Sequence, residues 1–353
     1  MRSFSPYMSS QRMEFAATHI TTVLTPARCE SRRRFRVALL ALLFFFAASW
    51  ARSQGFQFVA LGDLPYGSTS QAPYQALIER INQLSPGFSI HVGDFKSGST
   101  ACSDEEFSRQ LAHFQRFSGA LVYTPGDNEW TDCHRANNGA HDPLERLAAL
   151  RQRFFTEGRS LGQRPVAVEN QSRQQPVHGR YVENQRWQHQ GVMFATLHVT
   201  GSNNNFEVRD PAAVREFFER DAANVAWLES TFQQARQTSA EALVLAFQAD
   251  VFETRNAWED YPAWSGFRRV IGETLLPLAS QWAKPVLVVH GDSHRFRVDQ
   301  PFTLDKKPLA HVTRLIVPGE RDIRAVRVTV QPGGRFEFEL VGPASPVGTT
   351  EPR

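Results

Sequence analysis

Five aspartates each follow a short apolar segment of the chain, at the point where the apolar residues stop. Any one of them alone is typical of a turn or a helix cap, because Gly-Asp is a common pair at such places. Five carboxylates gathered at one edge of a fold would repel one another unless a cation lay among them, so the recurrence predicts a divalent-metal site. The five residues are Asp63, Asp94, Asp127, Asp250 and Asp292.

The segments before these aspartates have the pattern of strands, and amphipathic helices separate several of them. "FQFVALGD", "FSIHVGD" and "ALVYTPGD" are apolar runs that end in Gly-Asp, and "YQALIERINQL" has its apolar residues at helical spacing. A second run begins with "ALVLAFQAD" and "PVLVVHGDSH". This alternation predicts an α/β fold, in which ligands bind beyond the carboxyl ends of the strands.

Two other parts of the chain follow different patterns. Residues from about 140 to 182 hold a short helix around "PLERLAALRQRFF" and then a polar stretch that we interpret as a long loop or insert. From "TRLIVPG" through "IRAVRVTVQPGGRFEFEL" the pattern predicts antiparallel strands that turn at Pro332-Gly333-Gly334. Residues 343–353 are predicted to form a flexible tail.

The order of these motifs resembles the calcineurin-like metallophosphoesterases, the superfamily that includes the purple acid phosphatases. The resemblance runs from Phe56 to Phe302 and is carried by "LGDLPYG", "HVGDFKSG", "GDNE", "VAWLES" and "HGDSH". It implies a four-layer α/β/β/α sandwich with mixed sheets, in one domain over about residues 54–342. It also implies one or two divalent metal ions per chain at the strand ends.

The resemblance assigns the metal ligands residue by residue. One ion would take Asp63, Asp94 and His294, and the other would take Asp94, Asp127, Gln248 and Asp292. Asn128 is the alternative to Asp127, because asparagine is the family's usual ligand in this motif. Glu129 and Asp250 are expected to support the ligands from behind.

Three positions depart from the family's pattern because they lack an imidazole: Pro65, Gln248 and Asp292. The ligand set is therefore rich in oxygen, which favours manganese or magnesium over an iron–zinc pair. Lys96, two residues after Asp94, is expected either to place its ammonium where a second ion would lie or to be a solvated loop lysine.

Catalytic and substrate-binding roles are less directly assigned. The family's usual proton donor is a histidine at the position of Asn128, which cannot titrate, so His290 and His134 are the candidates to replace it. The turn "HVTGSNNN" is expected either to be an Asx turn or to bind phosphate oxygens. The candidates for contact with the substrate are Lys96, Ser202, Asn203 and Asn204.

Composition and the N-terminal segment bear on partners and location. The 353 residues carry a formal net charge of +3, which gives no indication of a nucleic-acid partner. "RRRFRVALLALLFFFAASWARSQG" is typical of a signal peptide, since its apolar run is shorter than the ~20 residues that a membrane anchor needs. We therefore predict that residues 1–53 are a cleaved signal peptide with an over-long start. The mature protein is expected to be periplasmic or secreted, with no stable membrane anchor.

Export also changes how the cysteines are interpreted. Cys29 would be removed with the signal peptide, which leaves Cys102 and Cys133 as an even pair in an oxidising compartment. We therefore predict a disulfide between them.

Together these features predict an exported, metal-dependent phosphoesterase that hydrolyses a small-molecule phosphomonoester or phosphodiester with metal-activated water. The missing imidazoles favour an alternative, a non-catalytic exported binding protein on the same fold. Retention of all five strand-end acids, with Glu129 and His294, favours the enzyme.

Overall fold

The structure is a computed structural model and describes residues 55–343 of the chain. These residues contain fifteen strands and seven α-helices. The expectations for residues 1–53 and for the tail after Pro343 lie outside the described residues. The strands are β1 Phe56–Leu61, β2 Ser89–His91, β3 Ala120–Tyr123, β4 Leu161–Gly162, β5 Glu169–Asn170, β6 Gln185–His189, β7 Val192–Thr196, β8 Ala242–Ala246, β9 Val286–His290, β10 Arg297–Asp299, β11 Thr303–Leu304, β12 Lys307–Pro308, β13 Val312–Ile316, β14 Ala325–Gln331 and β15 Arg335–Val341. The helices are α1 Gln71–Leu84, α2 Asp104–Phe114, α3 Pro143–Phe154, α4 Gln171–Gln174, α5 Gly201–Asn204, α6 Pro211–Gln237 and α7 Leu276–Trp282, the last preceded by a π-helical segment, Arg268–Leu275.

The strands form two large mixed sheets and one small hairpin. The first sheet has the order β15-β14-β1-β2-β3-β4, with β1, β2 and β3 parallel and β14 antiparallel to β1. The second has the order β10-β13-β9-β8-β7-β6-β5, with β7, β8, β9 and β13 parallel. The two sheets therefore each present a block of parallel strands whose carboxyl ends can hold a site.

Three buried apolar clusters show how the layers stack. The cluster between the sheets takes residues from strands of both sheets, among them Phe58, Ile90, Phe194 and Val244. A second cluster joins the outer face of the first sheet to α1, α2 and α3, and a third joins the outer face of the second sheet to α6 and α7. The expected four-layer α/β/β/α sandwich with mixed sheets is confirmed.

Capping residues explain where the main helices begin. The Asp210 carboxylate accepts hydrogen bonds from the backbone N–H groups of Ala212 and Ala213, with Pro211 at the first helical position. Asp142 and Pro143 start α3 in the same way. Such aspartates satisfy N–H groups that have no partner within the helix.

Two expectations about the strands need correction. The segment at about 140–182 is not only a loop, because β4 and β5 within it add an edge strand to each sheet. The strand in "TRLIVPG" is β13, which pairs in parallel with β9 after the chain crosses over through β10, β11 and β12. Only β14 and β15 form the expected antiparallel hairpin.

The predicted disulfide is present, with 5.8 Å between the Cα atoms of Cys102 and Cys133. It ties the loop after β2 to the loop after β3. Among residues 55–343, no helix combines the length and the apolar character needed to cross a membrane.

Candidate metal centre

The carboxyl ends of β1 and β2 in the first sheet meet those of β8 and β9 in the second, at an edge that we call the rim. Hydrogen bonds join residues across this rim. The backbone N–H of Asp292, after β9, donates to both carboxylate oxygens of Asp63, after β1, at 3.1 and 3.2 Å. The side-chain amide of Gln248, after β8, donates to Asp94 Oδ2, after β2, at 3.2 Å. The ends of β1 and β9 therefore lie side by side, as do the ends of β2 and β8.

The backbone is strained at several residues of this rim. Four residues with side chains lie in the left-handed region, with φ of 54° at Asp63, 53° at Asp94, 72° at Asp292 and 57° at His294. Each such residue costs about 1 kcal/mol or more, and strain of this kind persists only where the surrounding structure holds it. Three of the four side chains, those of Asp63, Asp94 and His294, come within 4.8 Å of one another.

Asp63, Asp94 and His294 come together as a possible ligand set, which we call the metal trio. Their ligand atoms all lie within 4.8 Å of one another. His294 Nε2 is 3.6 Å from Asp63 Oδ1, and its Nδ1 is 3.6 Å from Glu320 Oε2. Within residues 55–343, no other group of three histidine, cysteine or acidic side chains meets this condition.

Two glycines of the Gly-Asp pairs make room for a carboxylate that comes from a neighbouring strand. A Cβ on Gly126 would lie 2.0 Å from Asp94 Oδ1, and a Cβ on Gly291 would lie 2.2 Å from Asp63 Oδ2. Both distances are far inside van der Waals contact. A side chain at either position would displace a member of the metal trio.

The charges of the metal trio suit a divalent cation. Burial raises the pKa of Asp63 and of Asp94 well above its usual range, and the negative charges of Asp127 and Glu129 raise both further. Burial lowers the pKa of His294, so its imidazole is neutral at neutral pH and can act as a metal ligand. Two carboxylates and one imidazole fit one divalent ion, and this donor set is compatible with manganese or magnesium.

Asp94 is held by donors on several sides. The Asn128 backbone N–H donates to Oδ1 at 3.1 Å, and the Asn128 side-chain amide donates to Oδ2 at 2.8 Å. The Tyr66 hydroxyl donates to the same Oδ2 at 3.1 Å. In this arrangement Asn128 orients Asp94 through its N–H groups rather than offering an oxygen to an ion.

Asp127 lies beside the metal trio but outside it. Ser202 Oγ is 2.7 Å from Asp127 Oδ2 and 2.9 Å from Asp132 Oδ1. The other oxygen, Asp127 Oδ1, is buried and accepts no hydrogen bond from the described residues. Asp127 therefore brings a buried, incompletely paired carboxylate to the rim.

Glu129 is buried beneath the rim and fixes the turns that follow β2 and β3. One of its carboxylate oxygens accepts hydrogen bonds from the backbone N–H of Asp94 at 3.0 Å and of Gly126 at 2.8 Å. The Tyr123 hydroxyl donates to the same oxygen at 2.9 Å. Glu129 thus links the ends of β2 and β3.

The remaining predicted ligands are engaged with the protein. Gln248 accepts a hydrogen bond from the Gly201 backbone N–H, which leaves its NH₂ group towards Asp94. Asp292 Oδ2 accepts from the Asp250 backbone N–H at 2.8 Å. Asp250 in turn has its Oδ1 3.7 Å from a guanidinium nitrogen of Arg314.

Neither histidine proposed as a catalyst contacts the metal trio. The His290 ring is buried, stacks on Phe247 and forms a hydrogen bond with the Gly291 carbonyl, and burial lowers its pKa to about 4. It lies on the helix-facing side of β9, since residues of this strand alternate between the two faces. His134 is exposed and uses its Nδ1 on the Thr131 carbonyl, at the edge of a separate 480 Å³ cavity.

Asn203 and Asn204 are structural rather than substrate-facing. The Asn203 side chain bridges the Gly266 N–H and the Trp264 carbonyl. Asn204 is fully buried and bonds to Arg220 and the Gly266 carbonyl. Of this turn, only Ser202 faces an acid of the rim.

Lys96 is not a solvated loop lysine, because its side chain is 1% exposed. Burial lowers its pKa to about 8, and the nearby carboxylates, Glu129 first, oppose that shift. Its ammonium forms a hydrogen bond with the Ser97 carbonyl at 3.1 Å. Lys96 therefore brings a buried cation to the rim.

Tyr66 is a rim residue that the motifs did not indicate. Its hydroxyl is 3.4 Å from His294 Nε2, donates to Asp94 and accepts from the Asn128 amide at 2.9 Å. Burial raises its pKa well above the usual range, so the hydroxyl keeps its proton. Its place three residues after Asp63, in "GDLPYG", is the only signal in the sequence that could have pointed to it.

This chain is similar to known proteins in its structure, whereas comparison of its sequence finds no match. No protein-family model and no curated protein sequence matches it. Similar solved structures include GAP50, described as the anchor in the inner membrane complex of Plasmodium, at 11% identity, TM-score 0.48, and 82% and 85% coverage of this chain and of that chain. A dimetal phosphatase from Danio rerio has 10% identity, TM-score 0.49, and coverage of 82% and 99%. A purple acid phosphatase from yellow lupin seeds has 13% identity, TM-score 0.49, and coverage of 83% and 52%.

At these identities the likeness concerns the fold alone. Two mixed sheets packed face to face, with helices on both outer faces, form the scaffold, and acidic residues follow its parallel strands. The chain itself has a four-layer α/β/β/α sandwich fold with mixed sheets.

Proposed function

We propose that this chain hydrolyses a phosphoester of a small molecule, outside the cytoplasm, with a divalent metal ion as its cofactor. The observation that carries the proposal is the metal trio, in which two buried carboxylates and a neutral imidazole converge within 4.8 Å. A divalent ion held there supplies charge stabilisation to phosphoryl oxygens and acidifies a water molecule. Asp63, Asp94 and His294 are the residues that would hold it.

The residues around the metal trio have supporting parts in this proposal. Asn128 and Glu129 fix Asp94 by hydrogen bonds, and Glu320 lies near the far nitrogen of His294, an arrangement that orients metal-bound histidines. In the resembled family a histidine at the position of Asn128 donates a proton, and Tyr66 Oη, hydrogen-bonded to Asn128, carries a proton in its place. It can donate a hydrogen bond to a phosphoryl oxygen or a proton to the leaving group.

The proposed location is supported by the disulfide between Cys102 and Cys133, which is typical of proteins that mature in an oxidising compartment. The predicted signal peptide lies outside the described residues.

A second candidate is a non-catalytic exported binding protein that holds an ion on this rim. Asn128 and Gln248 favour it, because neither side chain can titrate as an imidazole does. A bound ion would account for the strained backbone and the buried acids in either candidate, whereas the protonated Tyr66 hydroxyl beside Asp94 favours the enzyme.

Turnover and metal binding by the mature chain and an Asp94→Ala variant would test the proposal. Aryl phosphate mono- and diesters are assayed with manganese, magnesium, calcium and zinc, and bound metal is counted by mass spectrometry. We expect metal-dependent hydrolysis that disappears in Asp94→Ala and persists in Asp322→Ala, whose carboxylate pairs with the nearby Arg324. Bound metal without hydrolysis of either ester would support the binding protein, and no bound metal would refute the metal centre.

A further inference from the structure

The orientation of the Gln248 side chain is fixed by a group that can only donate. Its Oε1 accepts the Gly201 backbone N–H, which has no lone pair to offer in return. The NH₂ end must therefore face Asp94 Oδ2, 3.2 Å away. The side chain offers hydrogens, rather than an oxygen, to the place where a second ion would need a ligand.

Asp94 is also poorly available as a bridge between two ions. Its Oδ2 already receives hydrogen bonds from Tyr66, Asn128 and Gln248, and its Oδ1 receives the Asn128 backbone N–H. A carboxylate that binds one ion can keep part of this set. One that binds two ions would have to give up most of it.

The other acids of the rim, Asp127 and Asp292, do not form a second cluster of ligand atoms. Asp127 and Asp292 are not part of any group, among the described residues, whose three ligand atoms lie within 4.8 Å of one another. Each also has one oxygen committed, Asp127 to Ser202 and Asp292 to the Asp250 backbone N–H. A second ion would find separated, partly occupied donors.

A positively charged side chain, that of Lys96, is already buried at the rim. The Lys96 ammonium has three N–H groups, one of which donates to the Ser97 carbonyl. Lys96 is 1% exposed and lies two residues after Asp94, so its ammonium is buried next to the loop that carries a member of the metal trio. Two carboxylate oxygens, Asp127 Oδ1 and Glu129 Oε2, are buried without a hydrogen-bond partner among the described residues.

On the basis of the metal centre proposed above, we infer that the chain binds one divalent ion, at Asp63, Asp94 and His294. The NH₂ group of Gln248 and the ammonium of Lys96 take the place of a second ion. The consequence is a mononuclear centre on a scaffold whose geometry could otherwise hold a pair.

Metal stoichiometry tests this inference without reference to turnover. The mature chain is stripped with chelator and titrated with Mn²⁺ by calorimetry, and the bound manganese is counted by mass spectrometry and examined by electron paramagnetic resonance. We expect one Mn²⁺ per chain with the spectrum of an isolated ion. Two spin-coupled ions would overturn the inference and leave the proposed function standing, whereas no bound ion would refute the proposed metal centre itself.

Two variants test the residues held responsible. Gln248→His with Lys96→Met supplies a ligand and removes the competing charge, so this double variant is expected to bind two ions. The matched control is Gln188→His with Lys306→Met, which makes the same replacements at exposed positions and should still bind one. A folded double variant that binds only one ion would overturn the assignment to Gln248 and Lys96, with folding checked by circular dichroism. Should it not fold, Gln248→Glu with Lys96→Met, which also supplies a ligand oxygen and removes the competing charge, is the deciding variant.

Discussion

Replacing Asp63 by asparagine separates the metal-binding part of this carboxylate from its structural part. The amide has nearly the same shape and can still accept the Asp292 backbone N–H, but it removes a buried charge near Asp127 and Glu129. Without metal, Asp63→Asn should therefore be at least as stable as the wild type. With metal, it should lose most of the stabilisation that the ion provides.

The size of that stabilisation follows from binding linkage. At a free Mn²⁺ concentration of about 100 times Kd, an ion that binds only the folded state adds about 2.7 kcal/mol to the free energy of unfolding. For a domain of about 290 residues, with an unfolding entropy of about 0.6 kcal/mol/K, this raises Tm by about 4–5 °C. A 100-fold loss of affinity in Asp63→Asn would reduce the gain to about 0.4 kcal/mol at the same metal concentration.

The assay is urea unfolding and thermal unfolding of both proteins, in chelator and in a series of Mn²⁺ concentrations. Asp322→Asn, which changes a carboxylate that is ion-paired to Arg324, is the control and should keep the full shift. An equal metal-induced shift in Asp63→Asn and in the wild type would refute the role of Asp63 as a ligand. A metal-free Asp63→Asn that is markedly less stable than the wild type would show that the carboxylate is mainly structural.

Three further predictions concern the Tyr66 hydroxyl, the disulfide and a buried histidine. Tyr66→Phe should lower kcat for alkyl phosphates by on the order of 100-fold and for activated aryl phosphates much less, at a Mn²⁺ concentration that calorimetry shows to saturate the variant. An equal loss for both would exclude proton donation. Replacing Cys102 and Cys133 by serine opens a loop of sequence separation 31 and should lower the free energy of unfolding by roughly 3–4 kcal/mol in urea titrations, and no loss would show that the cross-link adds no stability. Burial lowers the pKa of His91 to about 3, against about 6.5 when unfolded, so the unfolded state binds more protons below pH 6.5 and stability falls as the pH drops. Between pH 7 and pH 5 the His91→Gln variant should lose about 2 kcal/mol less than the wild type in urea unfolding, and equal losses would refute the assignment.

Local patterns in the sequence were sufficient for the parts of the fold and site that depend on local chemistry. The Gly-Asp strand ends identified Asp63 and Asp94 because the rule behind them, acids at the carboxyl ends of parallel strands, needs no knowledge of distant residues. The parallel pairing of β13 was missed because it depends on a crossover whose strands have two or three residues each. Short strands carry almost no periodicity.

Within the site, the contacts that the sequence did not indicate have a different origin, because each involves a partner far along the chain. Gln248 was assigned as a ligand, and its orientation is decided by a backbone N–H that is 47 residues away in sequence. Asn203 was assigned to the substrate, and it instead holds a loop about 60 residues further on. Lys96 could not be separated from a solvated lysine, since its burial depends on how the loops after β2 and β3 pack.

The rim bears two costs that the rest of the fold has to offset. The left-handed backbone at Asp63, Asp94, Asp292 and His294 costs on the order of 1 kcal/mol per residue, and the buried carboxylates lack a matching charge on the side of the metal trio. Lys96 is buried two residues after Asp94, and its charge acts on Glu129 first and on Asp94 second. One lysine cannot balance Asp63, Asp94, Asp127 and Glu129 together, and a divalent ion at the metal trio would balance the remaining charge. Strain, charge and the placement of Lys96 therefore all favour one ion at Asp63, Asp94 and His294, and none of them requires a second.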